Sequence, residues 1–229
     1  MGRDGAGVES LYPFLYSGTS DLDDVLDQVR RSTVDKAAEI VELRRLTVRR
    51  DAARLADCAR AMARSFTGGG RLFAFGNGGS STDAQAVATT FLHPRPDRGQ
   101  GRGRALPLPA VSLTDDVAVV TALANDVGFD VVFARQLAAF GRPGDIAVGL
   151  STSGNSDNLV RAFEEASRRG LLTIGLAGYQ GGKMAELDTI DYLFVVPSSS
   201  VHRIQEAQTT VYHVLWELTQ VALEASDGS

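Results

Sequence analysis

The chain has 229 residues, 44% of them hydrophobic, and a formal net charge of -5. It is long enough to bury a sizeable core, and it lacks the cationic surplus with which general nucleic-acid binders grip phosphate backbones. Its single cysteine, Cys58, excludes an intrachain disulfide and a cysteine-based zinc knuckle. No apolar run reaches the roughly 18 residues of a membrane span, and the N-terminus lacks the pattern of a signal peptide, so a soluble, cytoplasmic protein is expected.

Residues 1–19 hold several glycines and Pro13 and read as a loose tail, with Tyr12, Phe14 and Tyr16 as candidate packing groups. A single domain is expected over residues 20–229. Ser20 with Asp23 resembles a capping start, after which Leu22, Val25, Leu26 and Val29 recur at helical spacing. A second apolar set runs through Ala37, Ile40, Val41 and Leu43. Asp51 to Phe66 reads as a further amphipathic helix, closed by Gly68-Gly69-Gly70.

The stretch from Arg71 to Phe91 carries the first chemical signal. A short apolar strand, Leu72 to Phe75, stops at Gly76-Asn77-Gly78-Gly79, and Ser80, Ser81 and Thr82 then open a helix. Glycines let backbone approach a ligand closely, and a helix start offers free N–H groups and the positive end of a dipole. Such a turn suits an anion, although many strand-to-helix turns use the same residues and bind nothing.

Residues 93–107, with four Arg, three Gly and three Pro, read as an exposed loop. Leu108 to Leu113 reads as a buried strand and Asp115 to Ala124 as a helix, with Asn125-Asp126 in the loop after it. Val131 to Phe140 is helical, and residues 141–145 form a turn. The strand Ile146 to Leu150 runs into a second hydroxyl-rich loop, Ser151-Thr152-Ser153-Gly154-Asn155-Ser156, followed by a helix from Asp157 to Arg169. A strand at Leu171 to Leu176, a short helix near Lys183 to Leu187, a strand at Tyr192 to Val196 and a long helix from His202 to Glu224 complete the chain.

Strands alternating with helices predict a parallel sheet covered on both faces, with ligands bound beyond the carboxyl ends of its strands. Neither hydroxyl-rich loop has the spacing of a dinucleotide fingerprint or a P-loop, which speaks against a nucleotide cofactor. Two loops of one kind, each placing hydroxyls and N–H groups at a helix start, point instead to a phosphate ester.

The stretches GNGGSSTDAQ, Asn125-Asp126, LSTSGNS, GYQGGKMAEL and RIQE resemble the sugar isomerase (SIS) domain, and within it the phosphoheptose isomerase group, in matching order over residues 20–224. The resemblance implies a three-layer α/β/α sandwich around a five-stranded parallel sheet, flavodoxin-like, with N-terminal helices. It also implies a homotetramer with sites between subunits and a sugar phosphate as substrate. The family's substrate contacts fall on Asn77, Gly78 and Gly79, with Ser80 beside them, on Asn125 and Asp126, on Ser151, Thr152, Ser153 and Ser156, and on Gln205.

The resemblance also implies a zinc and acid–base site, of which Gln205 and His213 remain. The His and Glu that the family places four residues apart on the helix after GNGGS are here Ala86 and Thr90. Aldose–ketose interconversion passes a proton between neighbouring carbons through an enediol, and Thr90 is no base at neutral pH. His213 is the remaining catalytic candidate. His93 stands near the gap, but the following Pro94 places it beyond the helix end, and His202 replaces a family Asp. Gln205 and His213 are eight residues apart, about 12 Å along one helix, so a site completed by a neighbouring subunit is the easier geometry for a metal. Two readings stay open. One is an isomerase with a departed site. The other is a phosphosugar-sensing or assembly protein, or one half of a hetero-oligomeric isomerase.

Overall fold

The computed structural model describes residues 22–94 and 105–227. The expected tail and the arginines of the 93–107 loop lie outside these. Two compact units are distinguished, residues 1–42 and 43–229.

The expected N-terminal helices are instead one, α1, Leu22–Thr67. No Gly or Pro interrupts these residues, so nothing forces the backbone to break. The helix ends where predicted: Gly69 takes φ +82°, and the N–H of Gly70 donates to the carbonyl of Ser65 (2.8 Å).

From there strands and helices alternate. Strand β1 (Leu72–Gly76) leads to α2 (Gly79–Leu92), and β2 (Ala110–Ser112) to α3 (Val117–Asp126). A 3₁₀ turn, Phe129–Val131, precedes α4 (Val132–Phe140). Strand β3 (Ile146–Leu150) leads to α5 (Asp157–Arg168), and β4 (Leu172–Gly178) is followed by a 3₁₀ turn, Gly182–Glu186. Strand β5 (Tyr192–Val196) and α6 (Val201–Asp227) complete the order. The five strands form one sheet in the order β2-β1-β3-β4-β5, every pair parallel. This is the expected flavodoxin-like order.

Side chains alternate across the sheet and so build two cores. Leu72, Ala74, Ile146, Val148, Leu150, Ile174 and Leu176 face one layer, which includes Leu55 and Met62 of α1, Phe91 of α2 and Val211 and Leu215 of α6. Phe73, Phe75 and Ala147 face the other, with Phe133 and Leu137 of α4 and Leu159 and Phe163 of α5. In the second core Phe75 stands 5.4 Å, centroid to centroid, from both Phe133 and Phe163. The Phe75 and Phe163 rings occupy the space a side chain at position 149 would need, and Gly149 leaves it to them. β2 is shorter than the predicted 108–113 strand. It is an edge strand with Val111 exposed, and Leu108 and Leu113 are buried outside its ladder.

Candidate functional site

Strands β1 and β3 are neighbours at the centre of the sheet, and the chain leaves them in opposite directions, β1 toward β2 and β3 toward β4. A crevice forms at the carboxyl ends of two strands whose connections diverge in this way. Both hydroxyl-rich loops open into it. The first runs from Gly76 into α2, the second from Leu150 into α5.

The two loops are tied together by a pair that the sequence did not reveal. The Asn77 Nδ2 donates to Asn158 Oδ1 at 2.9 Å, and Asn158 Nδ2 returns a bond of 2.9 Å to Asn77 Oδ1. Asn158 is buried in the first turn of α5. A reciprocal amide pair has one favoured geometry, so the first loop is held in register with the second.

In the first loop Gly78 precedes α2 with φ +55°, and the N–H groups of Ser80 and Ser81 donate to the carbonyls of Asn77 and Gly78 (3.0 Å each). Ser80 is buried, whereas Gly78 and Gly79 present bare backbone to solvent. In the second loop Ser151 is buried and its Oγ accepts from Gly154 N (2.9 Å), while Ser153 Oγ accepts from Asn155 N (3.2 Å). Ser156 occupies the N-cap of α5, yet its hydroxyl makes no capping bond and stays available. Thr152, Ser153 and Ser156 are half-exposed.

A third segment braces this loop. Gly154 has φ +70°, and a methyl at that position would collide with the carbonyl of Gly181. Lys183 N donates to Asn155 Oδ1 (2.9 Å), and Lys183 Nζ reaches Asp157 Oδ1 (2.7 Å). That ammonium holds the exposed Asp157 carboxyl below the usual carboxylate range, chiefly through their hydrogen bond. From beneath, the buried Gln208 of α6 donates to the carbonyl of Ser151 at 2.9 Å. None of Asn158, Gln208 or Lys183 was singled out from the sequence. Each acts on a loop more than twenty residues away in the chain, and no local motif marks such a contact.

Asn125 and Asp126 are not in a loop. They close α3, a helix with no buried residue, and Asn125 Nδ2 donates to Asp126 Oδ1 (2.8 Å). The helix continues past the expected Ala124 because no glycine intervenes before Gly128.

Helices α2 and α6 pack against each other, and their facing stripes hold the remaining candidates. On α2, Gly79, Asp83, Ala86 and Thr90 recur at i, i+4, i+7 and i+11, which puts them on one face. The Thr90 hydroxyl is used internally, donating to Ala86 O (2.7 Å). Gln205, half-buried in the first turns of α6, brings its Nε2 against Gly79, where any larger residue would collide with it.

His213, two turns further on, is exposed. Its ring stacks on Tyr212 with centroids 4.7 Å apart, and its Nδ1 lies 2.8 Å from Thr209 O. A carbonyl only accepts, so Nδ1 donates to it, and Nε2 is the ring nitrogen left to face outward. Gln205 and His213 therefore face different surroundings, one inward and one to solvent. The described residues hold no group of three or more His, Cys, Asp or Glu able to bind a metal. One amide and one imidazole in separate places do not make a zinc ligand set within a single chain. His93 is exposed just past the end of α2, and His202 is exposed at the start of α6.

A sequence profile of the SIS domain matches residues 37–178. The chain is 37% identical over 197 residues to a phosphoheptose isomerase of Roseiflexus, covering 86% of this chain and 96% of that protein. To the phosphoheptose isomerase of Nitratidesulfovibrio vulgaris it is 41% identical over 193 residues, 84% of this chain and 89% of the other. Among solved structures, the phosphoheptose isomerase of Neisseria gonorrhoeae superposes with a TM-score of 0.74 at 33% identity, covering 84% of this chain and 99% of that one. That of Francisella tularensis gives 0.72 at 31% identity, over 85% and 97%. Fold, loop placement and similarity across nearly the full length of these relatives agree: the chain belongs to the SIS-domain family, alongside the phosphoheptose isomerases.

Proposed function

We propose that this protein binds a sugar phosphate of the heptose phosphate class at the β1/β3 crevice and descends from aldose–ketose phosphosugar isomerases. The observation that carries the reading is the joined pair of loops, held in register by the Asn77–Asn158 amide pair. In this reading the phosphate rests on the hydroxyls of Ser151, Thr152, Ser153 and Ser156 and on the N–H groups at the start of α5, where the helix dipole favours an anion. Sugar hydroxyls are taken by Asn77, the backbone of Gly78 and Gly79, Asn125, Asp126 and Gln205. Proton transfer between neighbouring carbons falls to His213, whose outward Nε2 suits a base. Because His213 is exposed, it would serve a sugar bound at a neighbouring subunit of an oligomer.

A second reading rests on Ala86 and Thr90, which offer neither acid nor base where the family has His and Glu. There the chain binds phosphosugar without turnover, or joins a related chain that supplies the missing pair. The experiment is solvent deuterium incorporation into sedoheptulose 7-phosphate, followed by NMR, for wild type and His213→Ala. Exchange that vanishes in the variant supports the isomerase. Substrate-induced shifts without exchange support the binding reading, and absence of any binding sinks both.

A further inference from the structure

The start of α5 carries a charge that the reading above leaves out. Asp157, the first residue of that helix, directly follows the Ser156 cap and is exposed. A carboxylate in the first turn of a helix interacts with the same N–H groups and the same end of the dipole that an arriving phosphate would use. Unneutralised, it would compete with a ligand anion and repel it.

Lys183, 26 residues further along the chain, answers that charge. It stands in the 3₁₀ turn Gly182–Glu186, which follows β4 at the same edge of the sheet. Its Nζ donates to Asp157 Oδ1 at 2.7 Å, while its backbone N–H donates to Asn155 Oδ1 at 2.9 Å. The N–H of the next residue, Met184, donates to the carbonyl of Gly154 at 3.0 Å. Two backbone bonds thus fix where the lysine stem begins. Gly182 lets the turn come this close, since a Cβ there would meet Ser153 O and Asn155 Oδ1 at 2.5 Å each. Arg161, one turn along α5 from Asp157, is engaged elsewhere, 3.0 Å from Asp130. The Asp157 carboxyl is held below its ordinary pKa first by the Lys183 hydrogen bond, in keeping with this geometry.

Resting on the phosphosugar reading, we propose that Lys183 is a positioning residue for the phosphate site: it ties the Asp157 carboxylate to the 3₁₀ turn and cancels its charge, so that the start of α5 stays open to a phosphate dianion. The ionic tie braces the second loop, and its neutrality spares the anion site the repulsion of a bare carboxylate. Lys183 acts through Asp157 and does not touch the ligand.

The test titrates inorganic phosphate and sedoheptulose 7-phosphate, by calorimetry, into the full-length wild type, Lys183→Met, Asp157→Asn and the double variant. Lys183→Met keeps the stem and the backbone N–H and removes the charge. It should weaken both ligands about fivefold at low salt, the upper range for one charge at an exposed helix end. Relative to wild type that loss should fade at about 1 M salt, where charges are screened within a few ångström. Lys183→Arg should bind as wild type does. Asp157→Asn should bind at least as tightly as wild type, and in the Lys183→Met background it should restore the lost affinity. If Lys183→Met does not fold, Lys183→Gln takes its place in each measurement. Unchanged binding in Lys183→Met, or weaker binding in Asp157→Asn alone, overturns the proposal. So does a loss that Asp157→Asn fails to restore, which would put the ammonium on the phosphate itself, or a loss indifferent to salt, which would leave Lys183 a structural brace only. A wild type that binds neither ligand overturns the phosphosugar reading and the proposal together, whereas the other contrary outcomes, seen in a wild type that binds, overturn the proposal alone.

Discussion

The two sides of the crevice are built to different standards. The loop side is closed on itself: Asn77 with Asn158, Ser151 with Gly154 and Gln208, Asn155 with Lys183, each bond 2.9 Å long. The helix side, where α2 faces α6, carries Ala86, an internally bonded Thr90, the Asp83 carboxyl with one oxygen unpartnered among the described residues, and an exposed imidazole. Binding a phosphate ester needs many weak, fixed donors and tolerates no slack in the backbone. Proton transfer needs a few titratable groups, and those can be lost without disturbing the fold. On the function proposed above, the difference would let a chain keep a ligand cradle while its proton-transfer groups change.

The comparison breaks most sharply at Gly154. Alanine there must adopt a left-handed backbone and collide with Gly181 O, so Gly154→Ala should destabilise the protein by roughly 3 kcal/mol and abolish phosphate binding. Thermal melts with and without inorganic phosphate measure both, and a ligand-stabilised variant would show the loop to be less rigid than its bonds imply. A gain-of-function pair probes the other side. If the cradle is complete and only chemistry is missing, Ala86→His with Thr90→Glu should raise turnover of sedoheptulose 7-phosphate by about 10²-fold, the lower range for a placed acid or base. A coupled assay for the aldose product reads this, and unchanged turnover would mean that the helix side lacks more than two residues. The mildest change, Asn158→Leu, strands the half-buried amide of Asn77 and should cost about 1–2 kcal/mol. Denaturant unfolding gives the stability, and ligand titration should show weakened binding even at temperatures where the variant is fully folded.

Much of this architecture was legible from local pattern. The apolar runs at Leu72–Phe75, Ile146–Leu150 and Tyr192–Val196 are strands because short buried runs bounded by glycine or turn residues have few alternatives. The errors have equally local causes. One long helix read as several because its apolar stripe shifts face, although no residue in it breaks a helix. Asn125-Asp126 read as a loop because both residues favour turns, but with no glycine before Gly128 the helix carried through them.

By itself, then, the amino-acid order determined the strand–helix alternation, the two glycine-and-hydroxyl loops and the absence of the expected His and Glu, all of which are properties of near neighbours in the chain. Only the tertiary structure decided what those loops lean on. Asn158 against Asn77, Gln208 beneath Ser151, and Gly79 against the Gln205 amide join segments about 60 to 130 residues apart. Such pairs are specified by packing two helical layers onto one sheet, and no periodicity within a single segment records which residue will face which.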